Sequence, residues 1–276
     1  MHIVWAILRV TLLGLQTETG SNRQALEVRC AAVDLEACYS LALDFYYGDS
    51  VEWPPEEGAT RELDLAAQFF NLACEGGHAE GCESLARMYA EGEGVSSDPA
   101  RAVELFSRAC QLDATAGCIK LGNIYRDGHQ VTRDLPQAAS LYQRACDANE
   151  TMGCGHLADM YADRPDFARD LGRAITLYRK ECDSNQGPWS GHGCTALGRM
   201  YEEGVGLEKD LGAAAQLYEK ACEGKYIPPC LPLARMLDEG RGVPQDRERA
   251  TLLFKWLCDV GGYKEACQRL QAAPPK

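Results

Sequence analysis

An all-α solenoid built from helix pairs is the fold this chain predicts, on three observations. Its 14 cysteines fall into seven pairs: Cys30/Cys38, Cys74/Cys82, Cys110/Cys118, Cys146/Cys154, Cys182/Cys194, Cys222/Cys230 and Cys258/Cys267, five of them with seven residues between the partners. From Cys74 onward the first cysteines of successive pairs are spaced 36, 36, 36, 40 and 36 residues apart. A fixed period of this size marks a stack of similar units, each packing on its neighbours. Within a unit, the apolar residues follow two helical stripes separated by glycine.

The elements follow in chain order. Residues 1–21 contain the one long apolar stretch, from Ile3 to Leu15. It is short for a bilayer span and carries Arg9. It also lacks a preceding basic residue and a small-x-small cleavage site, so it reads either as a weak signal peptide or as a helix capping the first repeat. Residues 22–270 form the solenoid, with units at about 38–81, 82–117, 118–153, 154–193, 194–229 and 230–266, a partial cap at 267–270 and a tail at 271–276. The 38–81 unit is enlarged by Trp53-Pro54-Pro55-Glu56-Glu57-Gly58.

Residues 82–117 set the plan. The first helix starts near Cys82, with Leu85, Ala86 and Tyr89 at +3, +4 and +7, one face of a 3.6-residue helix. Gly92 sits where a left-handed C-cap is expected, and Gly94 follows in the turn. Asp98 then caps the second helix, Pro99 fits its first turn, and Ala102, Leu105 and Phe106 supply its core face before Cys110. Residues 118–153 repeat the plan with Leu121, Gly122, Tyr125, Gly128, Asp134, Ala138, Leu141 and Tyr142. In 154–193 the glycine turn becomes Arg164-Pro165-Asp166, Asp170 keeps the cap, and a longer junction holds Trp189 and His192. Residues 194–229 return to plan through Leu197, Gly198, Tyr201, Gly204, Gly206, Asp210, Ala214, Leu217 and Tyr218, and 230–266 through Gly240, Gly242 and Asp246. The tyrosines at +7 are expected to fill the groove between repeats.

The chain is 46% hydrophobic and 25% charged, an ordinary globular balance. Its net charge of −13 and the lack of any Lys/Arg run argue against nucleic acid and anionic lipid as partners. Each cysteine pair joins the end of one second helix to the start of the next first helix. That is near enough for a disulfide, worth about 2–3 kcal/mol in the chain-entropy account. The C-x2-C knots of structural zinc and the C-x-x-C-H of haem attachment are absent. Fourteen reduced, buried thiols in a cytosolic protein remain the alternative, although burial alone does not require two cysteines at every junction.

The recurring Leu-Gly/Ala-x-Met-Tyr, Gly-x-Gly-Val, Asp, Ala, Leu-Tyr/Phe and Ala-Cys pattern resembles the Sel1-like repeat, over about residues 22–270. The paired cysteines are similar to its disulfide-rich branch: the Helicobacter cysteine-rich proteins and a mitochondrial intermembrane-space assembly factor. The resemblance implies an α/α superhelix of the tetratricopeptide kind, used as a protein-interaction scaffold. It implies an oxidising home, periplasmic or secreted, with the intermembrane space as the alternative. Some cysteine-rich bacterial members are described as β-lactam-binding or weakly β-lactam-hydrolysing. The S-x-x-K, S-D-N and K-T-G motifs of serine β-lactamases do not occur in this chain, nor does an H-x-H or H-x-x-x-H metal motif. Disulfide-bonded cysteines also offer no thiolate. A scaffold with no catalytic residues, cofactor or metal is therefore the expected function. A β-lactam-binding or -hydrolysing protein is the first alternative and a mitochondrial assembly factor the second.

A scaffold needs a groove, which first helices of an α/α superhelix line on its concave side. The off-core positions +2, +5 and +9 carry Lys120, Asn123 and Asp127, then His156, Asp159 and Asp163, then Arg199 and Glu203, with Arg87 and Arg235 at +5 of the units 82–117 and 230–266. These residues suit an extended peptide carrying both signs, or form a plain solvated face. Trp53 and Trp189 are candidate aromatic anchors in their loops, or fold back over helix ends. A monomer is expected.

Overall fold

The computed structural model describes residues 20–48, 62–128, 131–164, 166–184, 190–223 and 227–272, and among these the chain is helical without a strand. Among the described residues fourteen helices run in order: α1 (Gly20–Ala31), α2 (Leu35–Tyr47), α3 (Leu63–Gly76), α4 (Ala79–Glu91), α5 (Pro99–Gln111), α6 (Thr115–Asp127), α7 (Leu135–Asp147), α8 (Thr151–Asp163), α9 (Leu171–Asp183), α10 (Ser190–Glu203), α11 (Leu211–Glu223), α12 (Cys230–Glu239), α13 (Arg247–Gly261) and α14 (Lys264–Ala272). From α2 to α13, the even-numbered helices are the first members of antiparallel pairs and the odd-numbered the second. The stack is a helix-pair solenoid. Two compact units divide it, residues 1–141 and 142–276. The apolar stretch 3–15, Trp53 and Trp189 lie outside the described residues.

Aspartate starts the second helices. The Oδ1 of Asp98, Asp134, Asp170, Asp210 and Asp246 accepts from the backbone N–H three residues on, 2.9–3.0 Å away, satisfying an N–H that the helix itself leaves unpaired. The aspartate's own N–H donates back to the carbonyl of Tyr89, Tyr125, Tyr161, Tyr201 or Leu237, which fastens the turn. Gly92, Gly128, Gly204 and Gly240 end their helices with φ between 69° and 76°, a left-handed conformation that costs a residue with a Cβ. The second glycine of the turn answers to packing. A Cβ on Gly94 would lie 2.4 Å from the Leu63 carbonyl oxygen, and one on Gly242 would lie 2.4 Å from the Leu211 carbonyl carbon. Each of these turns thus lies directly on the N-terminus of the preceding repeat's second helix.

The core repeats with the sequence. Leu85 and Ala86 of α4 bury against Ala102, Leu105 and Phe106 of α5, and Leu157 and Ala158 of α8 pack with Ala174 and Tyr178 of α9, all at most 4% exposed. The tyrosines at +7 lie at the edge of the core. Tyr89, Tyr125, Tyr161 and Tyr201 are half-buried, with Tyr161 and Tyr201 packed against the buried clusters, while Met88, Met160 and Met200, each one residue before such a tyrosine, are buried, as is Met236 before Leu237. A first helix is flanked by the second helices of its own and the preceding repeat. Its buried arc is therefore wider than a single stripe, and unbranched methionine fills the added width.

Seven disulfides join the predicted cysteine pairs: Cys30–Cys38, Cys74–Cys82, Cys110–Cys118, Cys146–Cys154, Cys182–Cys194, Cys222–Cys230 and Cys258–Cys267. Their Cα atoms are 4.5–5.1 Å apart, and no cysteine is free. The second cysteine of a pair sits further into its helix than the repeat pattern suggests. Cys38 follows the start of α2 at Leu35, Cys154 the start of α8 at Thr151, Cys194 the start of α10 at Ser190, and Cys267 the start of α14 at Lys264. Cys82 and Cys118 are placed likewise, and only α12 opens on its cysteine, Cys230. The cause is a tight bend. Val33, Gly77, Asp113 and Asn149 take positive φ, which turns the chain within about three residues and lets the new helix begin early. Helical hydrogen bonds from the N–H of Cys38 to the Asp34 carbonyl and of Cys267 to the Tyr263 carbonyl show that these cysteines are already in the first turn.

Close approach at the junction is set by small residues. A Cβ on Gly81, Gly117 or Gly153 would stand 2.7–2.9 Å from the Cβ of Ala73, Ala109 or Ala145. Basic side chains clamp consecutive junctions. Arg108 donates to the Glu75 carbonyl at 3.0 Å and Lys180 to the Cys146 carbonyl at 2.6 Å, neutralising the negative C-terminal end of the preceding second helix.

Candidate functional site

In the first unit, helices α2, α4 and α6 bring charged and aromatic residues to one face. The guanidinium of Arg87 lies over the Tyr46 ring, 5.2 Å from its centroid, a cation–π arrangement. Tyr46 in turn donates its hydroxyl to Glu93. Glu83, one turn before Arg87, is half-buried, and burial pushes its carboxyl above the usual range against the opposing pull of Arg87 and Lys120. Tyr39 stacks on His78 with ring centroids 4.5 Å apart. Lys120 is exposed and Asn123 half-buried on α6, while Asp127 accepts from Arg126 at 2.8 Å. Arg87 and Lys120, singled out from the sequence, thus both pull down the carboxyl of Glu83, a residue that sequence reasoning passed over.

In the second unit the same register is largely occupied from within. His156 faces the Tyr142 ring at 5.1 Å. Asp163 meets Arg199 at 3.3 Å, and Arg235 meets Glu265 at 3.7 Å. Glu203 is exposed. Asp159 accepts a 2.7 Å hydrogen bond from the Tyr178 hydroxyl and lies 3.4 Å from His192 Nε2. The other imidazole nitrogen, Nδ1, lies 3.1 Å from the carboxylate of Glu181.

Glu181 is the departure that matters. It is 3% exposed and stands immediately before Cys182, where other second helices place buried Ala73, Ala109, Ala145 and Ala221. Two glycines make room for it. A Cβ at Gly155 would lie 2.6 Å from its Oε1, and one at Gly193 would lie 2.8 Å from its Oε2. Gly155 follows Cys154 and Gly193 precedes Cys194, so the two staples hold both glycines against the carboxylate. Burial pushes the Glu181 carboxyl up, opposed by His192. The hydrogen bond to Glu181 raises His192, opposed by its own burial and helped by Asp159. Burial, then the facing Asp159 charge, raises the Tyr178 phenol. The result is a chain of four side chains, Tyr178–Asp159–His192–Glu181, with the imidazole set between two carboxyl groups. Its signal was present in the sequence as the one glutamate in the alanine column of the repeats. Among the described residues, no group of three or more His, Cys, Asp or Glu is placed to hold a metal ion, and no helix is long and apolar enough to cross a membrane.

The signature of the Sel1 repeat matches residues 35–78, 79–113, 115–150, 191–226 and 233–255. The chain belongs to the Sel1 repeat family. The Sel1 signature passes over 151–190, the stretch that carries Glu181 and the altered turn. A solved protective antigen of uropathogenic Escherichia coli strains, displaying an SLR fold, is 26% identical, with a TM-score of 0.79 over 90% of this Sel1 chain. The chain spans 50% of that antigen's length. A Sel1 repeat protein from Oxalobacter formigenes is 21% identical, with a TM-score of 0.70, covering 86% of this chain and 88% of that one. Cysteine-rich protein B of Helicobacter pylori is 33% identical over 52% of this chain and 99% of its own, with a TM-score of 0.40. Among curated proteins, none matches.

Proposed function

We propose that this protein is a protein-interaction scaffold that binds an extended peptide segment on its first-helix face. The observation that carries this reading is the Arg87 guanidinium over the Tyr46 ring, with half-buried Glu83 one turn before it and exposed Lys120 on the next first helix. Adjacent first helices present both charges and aromatic rings at fixed register on helix pairs made rigid by disulfides. Rigid, preorganised surfaces of this kind lose little entropy on binding, and mixed charge selects a ligand carrying both signs. Membership of a repeat family built of protein-interaction modules supports the same reading. Seven disulfides with no free cysteine support residence in an oxidising, extracytoplasmic compartment.

The test is selection of peptides from a random displayed library on the oxidised protein. The selected peptides are then titrated against wild type, Arg87→Glu and Lys120→Glu. Selected sequences should carry both signs, and each charge reversal should weaken binding by about tenfold, a loss of about 1.4 kcal/mol. A library that yields no binder, or binders indifferent to both reversals, overturns the reading.

A further inference from the structure

Second helices of this protein turn a polar face to solvent, with the last as the exception. Six residues before their cysteines, α3, α5, α7, α9 and α11 carry exposed Gln68, Glu104, Ser140, Thr176 and Gln216. Two residues before, α5, α7, α9 and α11 carry exposed Arg108, Arg144, Lys180 and Lys220. In α13 these two positions are Leu252 and Trp256, and Val260 follows one turn later; the three are 64%, 37% and 60% exposed. Their spacing of four residues places them on a single stripe, about 12 Å long at the helical rise of 1.5 Å per residue. Continuous apolar surface on an otherwise polar face marks a place of association.

We propose that this stripe is the contact of a homodimer in which α13 packs antiparallel on α13 of a second copy. The order of residues favours a second copy over an unrelated protein. A two-fold contact requires a surface complementary to itself, and the stripe sets one exposed aliphatic residue four positions to either side of Trp256. With Trp256 on the axis, Leu252 faces the partner subunit's Val260, Val260 faces the partner subunit's Leu252, and the two tryptophans stack on each other.

Charge agrees with that register. Lys255 and Asp259 are exposed, take part in no ion pair among the described residues, and share one flank of the stripe. Their common flank follows from the helical step, because one residue before Trp256 and three residues after it fall on the same side. The two-fold axis lays this flank beside its own copy in reverse order. Lys255 then lies about 3 Å along the axis from the partner subunit's Asp259, and the reciprocal pair forms as well. A parallel pairing would instead lay this flank against the opposite flank of the partner helix and form neither pair. One helix pair buries less than the about 1,600 Å² of a standard interface, so the dimer is reversible and depends on concentration. It is independent of the peptide-binding face.

Sedimentation equilibrium of the full oxidised chain over a concentration series tests the proposal. Five proteins enter the series: wild type, Trp256→Ser, Lys255→Asp, Asp259→Lys and the Lys255→Asp/Asp259→Lys double variant. All the substituted residues are on the surface, so unchanged helical circular dichroism verifies the fold of each. Wild type should move from monomer to dimer mass as concentration rises. Trp256→Ser should weaken the dimer by about tenfold or more, as loss of a central aromatic does. Each single charge change should weaken it, and the double variant should recover wild-type association. A wild type of monomer mass throughout, a dimer indifferent to Trp256→Ser, or a double variant as weak as either single one overturns the proposal. So does a full chain that dimerises only once residues 1–19 are removed, which would give the stripe to the chain's own apolar segment.

Discussion

Replacing His192 by alanine exposes the energetics of the one glutamate in the alanine column. In the native protein Glu181 has a side chain 4% exposed and a partner nitrogen at 3.1 Å. Without the imidazole that carboxylate is buried with no counter-charge, a change that costs about 3–5 kcal/mol where it is ionised. Acid relieves the cost. Burial already raises Glu181 above its ordinary value of 4.5, so it takes up a proton early, and the deficit shrinks toward the about 1–3 kcal/mol of an unpaired neutral group. The native pair has a pH dependence of its own, which enters the difference between wild type and variant with the opposite sign. His192 is raised above 6.5 by its hydrogen bond to Glu181, so its contribution is complete below 6.5 and is lost as pH rises through the higher folded value. Glu181, raised by burial, adds its own loss of stability as pH rises above 4.5. Both shifts therefore stabilise this helix pair on the acidic side of neutrality. Guanidinium unfolding of the oxidised protein at pH 5 and pH 8, with amide exchange across α9 and α10, measures the effect. Glu181→Ala restores the residue of the other repeats and should cost about 1 kcal/mol. The double variant should resemble Glu181→Ala, leaving the two changes non-additive by about 2–3 kcal/mol. A His192→Ala deficit additive with that of Glu181→Ala at either pH refutes the reasoning.

Four further outcomes follow from the geometry. Gly242→Ala should cost more than about 2 kcal/mol in thermal unfolding, because its Cβ would strike Leu211 backbone at 2.4 Å and its φ is +72°. Gly77→Ala, at φ +102° with open space around it, should cost only about 1 kcal/mol, the price of the conformation alone. Val33→Gly should raise the melting temperature, with a gain of about 0.5–1 kcal/mol, since Val33 holds a φ of 68° while 76% exposed. Removing one staple as Cys110→Ala with Cys118→Ala should cost about 2.5 kcal/mol by loop entropy and leave the helical content unchanged by circular dichroism.

Much of the fold was legible because the cysteines fix the register in which every other residue is compared. The aspartate caps, the glycine ends and the Leu–Ala face could all be read from that alignment, since each depends on local backbone chemistry. The depth of the core could not. The burial of Met88 and Met160 ahead of Tyr89 and Tyr161 arises from a second neighbouring helix, which a single-helix periodicity does not contain. The candidate site was legible by halves. Arg87 and Lys120 declared themselves as off-core charges. Glu83 and Glu181 did not, because a carboxylate on a helix reads as solvated until its neighbours in space are known. His192 was noticed as a loop residue, but its two carboxylate partners come from α8 and α9 and are 33 and 11 residues away in sequence.

The staples also bear on how the chain is made. Fourteen cysteines admit on the order of 10^5 complete pairings, a number that ordinarily calls for shuffling by an isomerase. Here every bond joins cysteines only 8, 9 or 12 positions apart, across one junction between successive helices. Where the polypeptide emerges N-terminus first into an oxidising compartment, each thiol can meet its proper mate before the next pair has emerged. Oxidation can therefore keep pace with emergence, one junction at a time. An error at any bend stays confined to that bend, and the repeats already closed behind it form a folded platform on which the next can dock.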